Sequence, residues 1–148
     1  MMKTATNRIL LIDDSPSEPI LLESAIQRSE RNLQMESFSD SIEAVEELIR
    51  RAKEEVEELP NLILLDLNMP GYNGLDVLSK LRNHERLRYI PIIIMSSSNL
   101  ESDVKQSLEM GANCFLVKPT GHKHYVEVIQ MIDDFWFGIV KRLDNAFI

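Results

Sequence analysis

Five polar residues, Asp13, Asp14, Asp66, Ser96 and Lys118, each stand at the end of a short apolar run of the sequence or just past it. In a parallel sheet the carboxyl ends of the strands meet along one edge, so these side chains would lie close together. Three carboxylates there would repel one another unless a hard divalent cation with oxygen ligands neutralised them, and Mg²⁺ is the natural occupant. An ammonium and a hydroxyl beside Mg²⁺ suit the oxygens of a phosphoryl group. The pattern therefore indicates phosphoryl transfer.

Each of these residues also has a simpler interpretation. Asp13 and Asp14 precede a predicted helix, where acidic residues complement the helix dipole. Asp66 could begin an Asx turn, Lys118 could be a solvated residue at a strand end, and Ser96 could be part of a loop. The joint interpretation is favoured because these groups lie at the same end of different strands, with the spacing that successive β-α units require.

Five apolar runs predict the strands that position these residues. All but the second are near-continuous apolar blocks, which is typical of central strands in a parallel sheet. Strict alternation of strand and helix implies right-handed crossovers, and hence an α/β fold with helices on both faces of the sheet. The runs are RILLID (8–13), LQMESF (33–38), LILLD (62–66), PIIIM (91–95) and NCFLV (113–117).

Helix start and stop signals separate the strands and predict five helices. Residues 15–18 and 98–101 match the Ser-x-x-Glu capping box, and residues 40–43 are a close relative of it. Gly111 follows a helical run, as a C-terminal cap does. The segment 41–59 has one apolar face and one charged face, which is typical of a surface helix.

Composition predicts a single domain. A chain of 148 residues with 44% hydrophobic residues is expected to form one domain over residues 1–148, with its core between about 8 and 143 and no output domain. The net charge of −8 argues against nucleic acid as a direct partner. The single cysteine favours the cytoplasm, and neither a signal peptide nor a run approaching the ~20 residues of a membrane span is expected.

Four sequence blocks carry a resemblance to a known family. LLIDDS, LILLDLNMPGYNGLDVL, IPIIIMSSS and GANCFLVKP are similar to the signature blocks of response-regulator receiver domains, in the family's order and spacing. The resemblance covers nearly the whole chain. It implies a flavodoxin-like (βα)5 fold, a doubly wound five-stranded parallel sheet with helices on both faces. It also implies a stand-alone response regulator of two-component signalling, which is a phosphoacceptor and not an enzyme.

The resemblance assigns a role to each acidic residue. Asp66 would accept a phosphoryl group from the phosphohistidine of a sensor histidine kinase. Mg²⁺, with Mn²⁺ as a substitute, would be held by Asp13, Asp14, Asp66 and the backbone carbonyl of Asn68.

The remaining family positions form the switch. Ser96 matches the hydroxyl residue that bonds the phosphate, and Lys118 matches the lysine of the site. Phe115 stands at the aromatic switch position, where family members often carry tyrosine. Pro119 would follow a cis peptide bond, an isomer that proline permits. Phosphorylation would then change the surface of the fourth helix, fifth strand and fifth helix for partner binding or dimerisation.

The last predicted helix, roughly residues 123–143, has an apolar arc of about half its circumference, wider than the ~100° stripe of a one-sided helix. The excess predicts contact with a second chain, with a symmetric homodimer as the simplest solution. Burial of the arc within the monomer under the C-terminal tail is the alternative. The arc contains Val128, Met131, Ile132, Phe135, Trp136, Ile139, Val140 and Leu143.

The segments NHERLRYIP and IDDFWFGIV and the long second helix also resemble stand-alone receivers that partner phytochrome-type histidine kinases in bacteria. This narrower resemblance makes a bacteriophytochrome a candidate kinase.

Three other functions remain open at this stage. A flavodoxin-type redox module would share the fold, but it would carry a hydroxyl-rich phosphate loop where this sequence has residues 13–16. A hydrolase of the haloacid dehalogenase type would need a second Asp where this sequence has Asn68. A degenerate receiver that acts only as a scaffold is disfavoured because every expected site residue is present.

Overall fold

The strands form one parallel sheet with the order β2-β1-β3-β4-β5. The structure is a computed structural model that describes residues 7–29 and 32–139, with Ile139 described by its backbone alone. The order confirms the predicted flavodoxin-like fold. From β1 the chain first adds β2 on one side and then β3 on the other, and this switch leaves a crevice between the carboxyl ends of β1 and β3. The strands are β1 (Asn7–Ile12), β2 (Leu33–Phe38), β3 (Leu62–Asp66), β4 (Ile92–Ser96) and β5 (Cys114–Val117).

Five α-helices connect or follow the strands, as the sequence predicted. Two of them are shorter than predicted. The second ends at Glu54 because Glu55 leaves the helical conformation, and a 3₁₀ turn (Val56–Glu58) follows it. The fifth ends at Met131 and continues as a π-helical segment, Ile132–Ile139. The helices are α1 (Ser17–Ile26), α2 (Ser41–Glu54), α3 (Gly74–Arg82), α4 (Glu101–Glu109) and α5 (His122–Met131).

Within the described ranges, the helices are all too short or too polar to cross a membrane.

The sheet has an apolar cluster on each face, and β3 supplies both. Ile63 and Leu65 pack with α2 and α3, whereas Leu62 and Leu64 pack with α1 and α5. Neighbouring residues of a strand point to opposite faces, so an unbroken apolar run is what a strand covered on both sides requires. All four side chains are fully buried. The strand that ends in Asp66 is therefore held rigidly from both faces.

The helix signals were only partly correct. Asp40 caps α2, because its side chain accepts hydrogen bonds from the amides of Ile42 and Glu43. The two predicted Ser-x-x-Glu boxes are wrong: α1 and α4 begin after Pro16 and Leu100, and no described side chain caps either helix. The serines bond elsewhere. Ser98 donates to Asp103 at 2.6 Å, and the Ser15 hydroxyl lies 3.1 Å from the Ser17 hydroxyl. Gly111 has the positive φ of a residue that ends a helix.

Candidate functional site

Three carboxylates converge at the carboxyl ends of β1 and β3. One oxygen from each of Asp13, Asp14 and Asp66 lies within 4.8 Å of the other two. Asp13 and Asp66 are only 2% and 5% exposed, whereas Asp14 is exposed. This arrangement is consistent with binding of a divalent metal ion, because hard cations take carboxylate oxygens and offset their repulsion. The predicted clustering of the three acids is confirmed.

Backbone hydrogen bonds position the two buried acids. The Asp13 amide donates to the Phe38 carbonyl at 3.0 Å, which extends the β1-β2 pairing by one residue. The Asp13 carboxylate in turn accepts from the Ser15 amide at 2.8 Å. Asp66 is the last residue of β3 and accepts a long bond, 3.4 Å, from the amide of Asn68. Asp66 therefore retains free acceptor capacity toward the cluster.

Lys118 brings a positive charge to the cluster. Its Nζ lies 3.0 Å from Asp13 Oδ2 and 3.7 Å from Asp66 Oδ2. Its amide donates to the Ser96 carbonyl at 2.8 Å, which ties it to the end of β4. Burial lowers the pKa of Lys118, but the hydrogen bond and the charges from Asp13 and Asp66 outweigh burial, so the pKa is raised. The ammonium is thus charged and in contact with two of the three acids.

The surroundings of Asp66 disfavour its ionised form. Burial and the neighbouring charge of Asp13 raise its pKa from 3.8 to about 6, although Lys118 and the Asn68 amide oppose the shift. An ionised Asp66 therefore costs folding free energy at neutral pH. A cation bound to the cluster would relieve that cost.

Ser96 and Phe115 lie on the two strands next to Asp66. Ser96 is the fully buried last residue of β4, and its hydroxyl accepts from the Ser98 amide at 3.1 Å. The hydroxyl proton is left for another acceptor at this edge of the sheet. Phe115 pairs with Ile94 in the sheet and packs, half-buried, against the cluster formed with α2 and α3. Phe115 lies in the fifth strand, as predicted, whereas Ser96 is the last residue of β4 and not the first residue beyond it.

The peptide bond before Pro119 differs from the expectation. Every peptide bond in the described residues is trans, including that between Lys118 and Pro119. The cis prediction is wrong for this structure. The physical reason is that a proline amide prefers trans by only about 0.5–1 kcal/mol, so the sequence alone permits either isomer.

The loop from β3 to α3 is held close to the strand end by Gly74. Its amide donates to the Leu67 carbonyl at 2.8 Å. A Cβ at this position would lie 2.7 Å from Leu67 Cα and 2.8 Å from the Asp66 carbonyl oxygen, so only glycine fits. Asn73 and Asp76 form a capping box at the start of α3, which was not predicted because its residue types differ from the Ser-x-x-Glu pattern.

The first residue of α2 supports the same loop from the other side. The buried Ser41 hydroxyl donates to the Tyr72 carbonyl at 2.6 Å and lies 3.3 Å from the Pro70 carbonyl. Between those two residues, Gly71 has φ +78°, a conformation that favours glycine. The loop that carries Asn68 is therefore anchored at both ends.

Two buried polar residues near the cluster were not singled out from the sequence. Tyr125 in α5 donates a hydrogen bond of 2.5 Å to Glu18 in α1. Glu18 was interpreted only as part of a capping box. No sequence signal connects two residues 107 positions apart.

Residues of the predicted dimer face divide between the core and the surface. Ile132 is buried, and Val128, Met131 and Trp136 pack half-buried against the cluster formed with α1 and α5. Phe135 is the exception, with 47% exposure, and its ring meets that of Trp136 edge-on at 5.7 Å. The side chain of Ile139, and Val140 and Leu143, lie outside the described residues. Part of the arc is thus used inside the monomer.

Comparisons with known proteins agree on one family. The sequence matches the family model of the response regulator receiver domain over residues 9–130. It is 33% identical over 132 residues to response regulator Rcp1 of Synechocystis sp., covering 89% of this chain and 90% of Rcp1.

Two solved structures cover nearly all of the chain. The Mn(2+)-bound form of response regulator Rcp1 matches with TM-score 0.81 and 31% identity, covering 93% of this chain and 99% of that one. The phosphorylated cyanobacterial phytochrome response regulator RcpA matches with TM-score 0.84 and 28% identity, covering 95% and 100%. The similarity thus extends over sequence and fold together.

Proposed function

Because the chain belongs to the response regulator receiver family, we propose that it accepts a phosphoryl group on Asp66 from the phosphohistidine of a sensor histidine kinase. Phosphorylation-dependent switching is typical of this family. The observation that carries the proposal is the Asp66 carboxylate at a rigid strand end, with two further acids and the Lys118 ammonium around it.

The donor set fits a magnesium ion. Asp13, Asp14, Asp66 and the backbone carbonyl of Asn68 would supply its oxygen ligands, and Mn²⁺ would substitute, since both are hard divalent cations. When bound, the ion would neutralise charge on the phosphoryl oxygens.

The chain's own residues perform the transfer. An Asp66 carboxylate oxygen attacks phosphorus in line, the new O–P bond forms as the P–N bond of the phosphohistidine breaks, and the imidazole leaves. The ammonium of Lys118 stabilises negative charge on an equatorial oxygen. This transfer serves signalling, as in the family, and not the turnover of a substrate.

Switching begins at the buried hydroxyl of Ser96. The hydroxyl can donate a hydrogen bond to a phosphoryl oxygen. Inward movement of the Ser96 side chain toward that oxygen would vacate space for the Phe115 ring. Of the residues in α4, Ser107 alone is buried, so this helix is held to the sheet by few contacts. Exposed apolar residues already lie on the α4-β5-α5 surface, which we propose as the surface that changes. They are Leu100, Leu108 and Val117.

Two partners follow from this proposal. A bacteriophytochrome is the candidate kinase, because the similar protein RcpA is a phytochrome response regulator. Transfer would take place in the cytoplasm, where ATP phosphorylates such kinases. The second partner is another copy of the chain, bound through the face that includes Phe135, because large exposed aromatic side chains are typical of interface anchors. We propose no direct contact with nucleic acid or membrane.

The test is incubation of the protein with Mg²⁺ and a small phosphodonor, read by intact mass. Wild type is expected to gain about 80 Da, the mass of one phosphoryl group in covalent transfer. Asp66→Asn is expected to gain nothing. Asp134→Asn, at an exposed carboxylate of the π-helical segment, is the matched control and should gain the same mass as wild type. An equal adduct on Asp66→Asn would overturn the assignment.

A further inference from the structure

A chain of hydrogen bonds connects the Ser96 hydroxyl to the first turn of α4. The Ser98 amide donates to Ser96 Oγ at 3.1 Å, and the Ser98 hydroxyl donates to Asp103 Oδ2 at 2.6 Å. The Ser98 hydroxyl oxygen also accepts from the Leu100 amide at 3.3 Å, which leaves the hydroxyl proton for the carboxylate. Asp103 lies in the first turn of α4. Ser98 therefore bridges the end of β4 and the start of α4, with one contact to each.

The first turn of α4 has few other attachments. Within the described ranges, the bond to Ser98 is the one hydrogen bond that a side chain of α4 makes outside the helix. The buried Ser107 hydroxyl is used inside the helix, where it donates to the Asp103 carbonyl at 2.7 Å. Beyond the other end of α4, the Gly111 carbonyl accepts from Arg82 Nε at 2.8 Å. The two ends of α4 are thus held by separate contacts, and Ser98 holds the end next to β4.

We propose that Ser98 and Asp103 form a latch, the pair of bonds from Ser98 to Ser96 and to Asp103, which holds α4 in its unphosphorylated position. When Ser96 turns to donate to a phosphoryl oxygen, its own oxygen moves away from the Ser98 amide and the first bond is lost. The loop then carries the Ser98 hydroxyl away from Asp103, and the first turn of α4 is released. Ser98 and Asp103 are therefore positioning residues. The inference deepens the proposed function, on which it rests for the phosphoryl group that acts as the trigger.

Two features of the structure favour a latch over a local loop contact. Ser96 is fully buried, so a Ser98 amide that loses this acceptor has to find another, and the loop has to move for it to do so. Ser98 and Asp103 are half-buried, so their bond is partly shielded from water and is stronger than a fully exposed one. A contact that both ends influence is the physical requirement for coupling, and coupling is reciprocal. Weakening the bond at Asp103 must therefore make the phosphorylated conformation easier to reach.

The first test is amide hydrogen exchange of the metal-free full chain by NMR, with each end of the latch perturbed in turn. Asp103→Ala should speed exchange of the Ser98 amide about ten-fold, the effect of losing one hydrogen bond to a charged group, although the acceptor of that amide is intact. Ser96→Ala should in turn speed exchange of the Val104 amide, which bonds to the Leu100 carbonyl in the first turn of α4. A local loop contact would confine each effect to its own end, and that result overturns the inference.

Matched variants separate the latch from a general loosening of α4. Ser98→Thr keeps the hydroxyl and should behave as wild type, whereas Ser98→Ala removes it. On the Ser98→Ala background, Asp103→Ala should change exchange at residue 98 by less than about two-fold, because no hydroxyl remains to bind the carboxylate. Glu101→Ala removes an exposed acid of the same turn and should leave exchange at residue 98 unchanged. Equal effects of Asp103→Ala on both backgrounds would contradict the latch.

The second readout is binding of beryllofluoride with Mg²⁺, an anion with the shape and charge of a phosphoryl group. Because the latch stabilises the unphosphorylated conformation, Asp103→Ala should bind beryllofluoride about ten-fold more tightly than wild type, and Glu101→Ala should bind it as wild type does. Unchanged or weaker binding by Asp103→Ala overturns the inference. If wild type neither binds beryllofluoride nor accepts a phosphoryl group, the proposed function fails, and the exchange measurements on the metal-free chain still decide whether the latch exists.

Discussion

Replacing Asp66 with asparagine should make the metal-free protein more stable at neutral pH. The carboxylate of Asp66 is buried beside Asp13, and these two causes raise its pKa from 3.8 to about 6. A carboxylate whose pKa is raised on folding destabilises the folded state wherever it must ionise. Asparagine has nearly the same shape and cannot ionise, so the penalty disappears.

The size and sign of the effect follow from the shift. The penalty vanishes only well below pH 3.8, where Asp66 is protonated in both states, and it grows as pH rises through the interval between 3.8 and about 6. At 1.36 kcal/mol per pKa unit, the free energy of unfolding of Asp66→Asn should exceed that of wild type by about 3 kcal/mol at pH 7 and by about 1 kcal/mol at pH 4.5.

The assay is urea unfolding with chelator present, at pH 7 and at pH 4.5, followed by the fluorescence of Trp136. Asp134→Asn removes an exposed carboxylate of the same type and should change stability by no more than about 0.5 kcal/mol. A gain for Asp66→Asn that is the same at both pH values would refute the electrostatic argument, as would no gain at pH 7.

Excess Mg²⁺ should make wild type more stable than Asp66→Asn, the reverse of the order without metal. A ligand that binds only the folded state stabilises it by RT ln(1 + [L]/Kd), where [L] is the free ligand concentration. Wild type offers three carboxylates and Asp66→Asn offers two, so wild type should gain more stability from Mg²⁺. Equal gains for both proteins would place the ion away from Asp66.

Four further substitutions test the loop before α3, the cap of α3 and the last helical segment. Gly74→Ala puts a methyl group 2.8 Å from the Asp66 carbonyl oxygen and should lower stability by about 1–3 kcal/mol in thermal unfolding, the usual cost of overpacking. Asn73→Ala removes the cap of α3 and should cost about 1 kcal/mol in the same assay. Trp136→Ala and Phe135→Ala should weaken self-association measured by sedimentation, and unchanged profiles for both would remove the dimer proposal.

The sheet and the cluster of three carboxylates were predictable because each depends on short stretches of sequence. A strand buried on both faces has to be apolar throughout, so β3 is visible as LILLD, and the residue that follows its apolar part reaches the edge of the sheet. Parallel pairing then brings Asp13 and Asp66 together without further information. The family predicted from these motifs is confirmed by the comparisons.

What the sequence did not reveal depends on contacts between distant segments or on small energy differences. The Glu18–Tyr125 bond joins two helices on one face of the sheet, and neither residue lies in a motif that mentions the other. The Ser15 and Ser98 boxes failed because each hydroxyl lies within bonding distance of another side-chain oxygen. The end of α5 at Met131 could not be predicted from periodicity, because the apolar spacing continues through the π-helical segment.

The charges at the site bear on how the proposed switch would work. If Mg²⁺ binds there, the two charges of the ion and that of Lys118 would balance the carboxylates of Asp13, Asp14 and Asp66. In the proposed reaction an aspartyl phosphate with a charge of about −2 would replace the single charge of Asp66, so phosphorylation would add only about one negative charge. In the proposed switch the signal would depend on where the new oxygens lie, and the buried hydroxyl of Ser96 is a donor placed to detect them.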